Sequence, residues 1–79
     1  MTLIRTDWKL DPSAGYVHLS RYSGGLFLEV KHGGYPDIPG GGWDWSACAP
    51  DGRLKRGTHA ALWDALEEAE RAALRLRFE

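Results

Sequence analysis

Cys48 and three histidines, His18, His32 and His59, are the side chains of this chain best suited to nucleophilic or metal chemistry. A catalytic thiol would need one of those imidazoles close enough to take the Cys48 proton, and a carboxylate to orient it. The spacing places none beside Cys48 and no local nucleophile signature surrounds it, so the expected role is that of a small strand residue. The same four residues with a carboxylate would suffice in number for a metal. There is no CxxC pair, no HxxxH pair and no second thiol, so no metal site is expected. Gly40-Gly41-Gly42 precedes a Trp-rich strand, whereas a phosphate cradle requires a helix N-terminus with Lys and Ser/Thr. The glycines read as flexibility and close backbone approach. No enzyme activity, catalytic residue or cofactor is expected.

The aromatic residues carry more. Four Trp, three Tyr and two Phe fall within 79 residues, and a chain of this length buries only about 60 % of its unfolded surface. Some rings must therefore sit partly exposed, and exposed rings mark contact surfaces. At 43 % hydrophobic and 27 % charged the chain is globular and not a disordered tail. Residues 1–57 carry seven Lys/Arg and six Asp/Glu, and residues 58–79 carry three and five. Neither part has the basic surplus of a phosphate-backbone binder or the dense acidity of a DNA mimic. A single cysteine fits a reducing cytoplasm. The opening MTLIRTDWKL places charges inside any apolar run, so the expectation is a soluble cytoplasmic protein with neither signal peptide nor membrane partner.

These rings must be positioned by short strands. Thr2–Leu10 alternates, with Ile4, Trp8 and Leu10 on one side. Asp11-Pro12-Ser13-Ala14-Gly15 ends it. Tyr16–Tyr22 puts Val17 and Leu19 on one face and Tyr16, His18, Ser20 and Tyr22 on the other. Ser23-Gly24-Gly25 signals a tight hairpin into Leu26–Lys31, where Leu26, Leu28 and Val30 point inward and Phe27, Glu29 and Lys31 outward. His32–Gly42, with five Gly and two Pro, is expected to hold no regular element and to offer Tyr35 and Ile38 either to the core or to a partner. Trp43–Cys48 alternates again, Ala49-Pro50-Asp51-Gly52 turns, and Arg53–Arg56 pairs back as a short strand around Leu54. Gly57 frees the chain, and Thr58 is expected to cap the helix 58–78. There Leu62, Leu66, Ala69, Ala73 and Leu76 form one apolar stripe.

The expected fold is α+β and two-layered, an antiparallel meander of four to five short strands with one C-terminal amphipathic helix packed on one face. It forms a single domain over 1–79, with the sheet in 1–57. The expected core is Ile4, Trp8, Val17, Leu19, Leu26, Leu28, Val30, Trp43 or Trp45, Leu54 and the helix stripe. One helix shelters one side of a sheet, so the other meets water or a partner. The expected partner-binding residues are Tyr16, His18, Tyr22, Phe27, Lys31, Tyr35 and Ile38. The function expected is non-enzymatic capture of a protein, including a second copy of the chain. A single-stranded nucleic acid stacked on the same rings is the alternative, weakened by the charge balance.

Residues 41–74, GGWDWSACAPDGRLKRGTHAALWDALEEAERAAL, resemble the strand, Asp-Gly turn, strand and helix that end many small phage and prophage proteins, anti-CRISPR proteins among them. Trp43, Trp45, Asp51-Gly52, Gly57-Thr58 and the Leu/Ala helix carry the resemblance. It implies a small sheet with one helix and an inhibitor that occludes a surface of a host protein or nucleoprotein complex. It carries over no catalytic residue, and the near-neutral charge departs from the acidic DNA-mimic type.

Overall fold

The computed structural model describes residues 8–11 and 17–78. Five strands follow in chain order, β1 (Lys9–Leu10), β2 (His18–Ser23), β3 (Leu26–His32), β4 (Trp43–Cys48) and β5 (Leu54–His59), and the helix α1 (Leu62–Phe78) comes last. Each strand pairs antiparallel with the next, so the sheet is a meander in the order β1-β2-β3-β4-β5. Helix α1 lies across β3, β4 and β5. The fold is thus α+β, one sheet under one helix.

The β2–β3 hairpin closes on Gly24 and Gly25 at φ +59° and +85°. A two-residue type I′ turn requires two positive φ values, and glycine meets that at no steric cost. Alternation then puts Leu26, Leu28 and Val30 under the helix, each 4 % exposed or less. Trp45 and Ala47 join them from β4, and Ala65, Leu66, Ala69, Ala72, Ala73 and Leu76 from α1. The four alanines let the helix sit close to the strands, while Leu28, Val30 and Leu76 supply bulk, about 1.5–3 kcal/mol of burial each. Asp64 stands in the first helical turn and Arg75 and Arg77 in the last, which complements the macrodipole. Arg53 adds a side-chain cap, its Nη1 donating to the Leu76 carbonyl at 3.1 Å.

Several expectations change. The first strand was expected over Thr2–Leu10; its residues up to Asp7, Ile4 included, lie outside the described ones, as does Tyr16. Trp8 is buried, its indole N–H donating to Glu70 on the helix at 2.9 Å, but Leu10 is 61 % exposed at the sheet's outer edge. Val17 is not core: it precedes the first paired residue of β2 and is 45 % exposed at the rim. Leu54 is not core either. It pairs with Cys48, whose side faces away from the helix, and is 51 % exposed. β5 does not end at Arg56 but runs to His59, because Trp43, Asp44 and Trp45 of β4 find their partners in His59, Thr58 and Gly57. Thr58 is therefore a strand residue and not a cap, and the helix starts at Leu62.

Gly57 is likewise not a pivot. It sits against the Trp45 indole, where a Cβ would come within 2.8 Å of Nε1. The 32–42 segment also holds more order than its composition indicates. Pro39–Gly41 forms one 3₁₀ turn, and backbone bonds from Gly33 to Gly42 and from Tyr35 to Gly41 zip its two arms at 2.9 and 2.7 Å.

Candidate binding surface

The sheet face turned away from α1 is organised by strand register into three rows. Tyr22, Phe27, Cys48 and Leu54 stand opposite one another on β2 to β5. Lys9, Ser20, Glu29, Ser46 and Arg56 form the middle row. His18, Lys31, Asp44 and Thr58 form the third. Neighbouring strands lie about 4.8 Å apart and rows two residues apart about 7 Å, so the face is a regular grid.

The first row is apolar, exposed at its two ends and half-buried at Phe27 and Cys48. Tyr22 is 76 % exposed and its ring leans on Phe27, with centroids 4.9 Å apart at 47°. Such a tilted arrangement is a favourable one for two aromatic rings. Leu54 ends the row at the β5 edge. Cys48 is half-buried between Phe27 and Leu54, its Sγ directed to the Ala49 carbonyl at 3.5 Å. The imidazole on this face, His18, stands opposite Lys31, four residues along β3 from Phe27, which is about 13 Å. His32 and His59 flank Trp43 on the helix side. No imidazole is placed to take the Cys48 proton.

The other two rows are polar. His18 Nε2 lies 2.9 Å from Glu29 Oε2 and Nδ1 lies 3.6 Å from Asp11 Oδ2, so the ring sits between two carboxylates. Asp44 accepts from Thr58 Oγ1 at 2.7 Å and from the Tyr35 hydroxyl at 2.9 and 3.1 Å. The hydrogen bond to Asp44, then its negative charge and slight desolvation, raise the Tyr35 hydroxyl above the usual tyrosine range. Lys31 is exposed. Between these rows lies an open groove of about 660 Å³, lined by Glu29, Lys31, Tyr35, Asp44, Arg56 and Thr58 among others.

Tyr35 and Ile38 belong to the rim of this face. A Cβ on Gly33 would collide with the Tyr35 ring, and one on Gly42 would stand 3.0 Å from Ile38 Cδ1. The glycines thus let both side chains fold down onto the segment's own backbone. His32 Nε2 fastens the tip to the Gly40 carbonyl at 2.7 Å and its ring meets Trp43 edge-on at 4.9 Å.

Of the residues expected on the surface, His18, Tyr22, Phe27 and Lys31 share the open face, Tyr35 and Ile38 border it, and Tyr16 is outside the described residues. Asp44, Leu54, Arg56 and Thr58 belong to the same face and were not foreseen. An alternation of Leu54, Arg56, Thr58 against Lys55, Gly57, His59 is present in the sequence, but no apolar contrast makes it visible. Among the described residues no group of three His, Cys, Asp or Glu side chains is placed to hold a metal ion, and no helix is long and apolar enough to cross a membrane. No family model, no curated protein and no solved structure matches the chain.

Proposed function

We propose that this chain is a non-enzymatic protein-binding module that receives its partner on the open face of the sheet. The observation that carries this is the row Tyr22–Phe27–Cys48–Leu54, an apolar band spanning four strands with Tyr22 and Leu54 more than half exposed. Aromatic and apolar side chains beside a polar groove are the composition of an interface core with its rim. The resemblance of residues 41–74 to small phage inhibitors adds the form such binding takes, occlusion of a surface on a host protein complex. Single-stranded nucleic acid is less well matched. Tyr22 and Phe27 pack on each other, and Glu29 and Asp44 share their face, where they repel phosphates.

The test is capture from host lysate by the wild type and by Tyr22→Ala/Phe27→Ala, followed by titration of the captured protein in purified form. Partner loss in a variant with an unchanged far-UV spectrum is the expected result. Retained affinity in that variant removes this face as the site. Affinity for oligonucleotides that falls steeply with salt would establish the nucleic-acid alternative in its place.

A further inference from the structure

The four charged groups of the open-face groove are not equally engaged. Glu29 is occupied by His18, and Asp44 by Tyr35 and Thr58. Among the described residues, the side chains of Lys31 and Arg56 form no hydrogen bond or ion pair with a protein group. The carboxylates of the groove are thus answered within the fold, and its two cations are not.

The groove also reaches the margin of the sheet. Its wall includes Leu54, Arg56, Gly57 and Thr58, all on β5, which is the outermost strand. Alternate residues of an edge strand turn their N–H and C=O groups outward. Among the described residues no strand lies beyond β5 to meet them. From Gly52 to Trp63 the chain carries Arg53, Lys55 and Arg56 and no Asp or Glu.

Resting on the open face as a protein-binding surface, we propose that the partner presents an extended acidic segment, which adds as a strand to β5 and sets a carboxylate in the groove between Arg56 and Lys31. Main-chain bonds to the β5 edge supply the docking, and the flanking side chains select the occupant. An apolar residue opposite Leu54 continues the row that begins at Tyr22. An acidic one opposite Arg56 reaches over the groove toward Lys31, which stands about 12 Å from Arg56, two strand spacings across and one row along. A second copy of this chain is the wrong occupant. Antiparallel self-pairing of β5 brings Lys55 and Arg56 against their own counterparts with no acid on either strand. A nucleic-acid backbone would need several cations in a line and meets Glu29 and Asp44 instead.

The probe is a fluorescently labelled, capped octapeptide, Thr-Val-Glu-Glu-Val-Thr-Val-Thr, beside its counterpart with Lys at both Glu positions. Affinities are read by anisotropy at low salt and the site by amide shifts. The wild type is expected to prefer the acidic peptide by about tenfold, the scale of one or two surface ion pairs, with shifts concentrated on residues 54–59. Lys31→Glu/Arg56→Glu, with both substitutions at exposed positions, is expected to keep the wild-type circular dichroism and reverse the preference. Equal affinity for both peptides, no binding of the acidic one, or shifts away from β5 would overturn the proposal. So would self-association that Arg56→Glu abolishes, or an oligonucleotide that outcompetes the acidic peptide at β5. A partner protein lost on Tyr22→Ala/Phe27→Ala but kept on Lys31→Glu/Arg56→Glu would leave the binding face standing and remove the acidic segment alone. Retention by both variants would remove both.

Discussion

Gly57→Ala separates two accounts of one residue. As a free pivot between sheet and helix, Gly57 would accept a methyl without contact, and the restricted unfolded chain would make the fold more stable by about 0.4–1 kcal/mol. In the fold Gly57 is a strand residue whose φ lies outside the left-handed region, so the backbone tolerates alanine. The space does not. The added Cβ would stand 2.8 Å from Nε1 and 2.9 Å from Cε2 and Cζ2 of Trp45, against about 3.5–4.0 Å for relaxed contacts. Trp45 is 8 % exposed and backed by the helix, so its ring cannot swing clear. Overpacking of this kind costs about 1–3 kcal/mol. Less the backbone gain, a net loss centred on about 1.3 kcal/mol is expected, and for so short a chain a fall in Tm of about 5–10 °C. Urea and thermal melts followed at 222 nm measure it. Trp45→Phe trims the obstructing ring, so in that background Gly57→Ala is expected to cost at most half as much. An unchanged or raised midpoint for Gly57→Ala in the wild type would refute the close approach of β5 to Trp45.

Two further outcomes follow from the polar contacts. Glu70 accepts from Trp8 Nε1 at 2.9 Å and from Arg21 Nη1 at 2.8 Å, and the Arg21 and Glu70 side chains are 19 % and 18 % exposed, so Glu70→Ala is expected to lower the unfolding free energy by about 1–3 kcal/mol in urea. Tyr35 has a raised folded pKa, so its contribution to stability is complete below the ordinary tyrosine value near 10 and is lost as pH rises through the higher folded value. Thermal midpoints of Tyr35→Phe should therefore decline less than those of the wild type above about pH 10. Asp51 runs the other way. The Arg53 backbone N–H, and then its guanidinium, hold the carboxyl below its usual range. Its contribution is present above the ordinary value and disappears as pH falls through the lowered one, and Asp51→Asn should flatten the acid limb below about pH 4.

The local grammar of the chain was legible where two signals agreed. Gly24-Gly25 between alternating runs specifies a hairpin whatever lies around it, and Leu26, Leu28 and Val30 then face one way by the two-residue period alone. The stripe from Leu62 to Leu76 marks a helix with one dry side, so a sheet with one covered face and one open face follows from composition and periodicity. The placement of Tyr22 and Phe27 on the open face follows with it.

The fate of β5 was not legible. Leu-Lys-Arg-Gly-Thr-His carries one large apolar residue, and period-2 reasoning assigns that residue to the core. Only the ladder with β4 decides that Leu54 faces out and that Gly57 admits an indole, because hydrogen-bond partners are a property of two strands and not of one. The same pairing brings Asp44, Arg56 and Thr58, from separate parts of the chain, to one groove beside Lys31. Sequence alone determined that a face is left uncovered, since one amphipathic helix has one apolar side to give. Tertiary register determined which residues occupy that face and which of its charges remain unanswered, since both depend on neighbours the chain reaches only by folding.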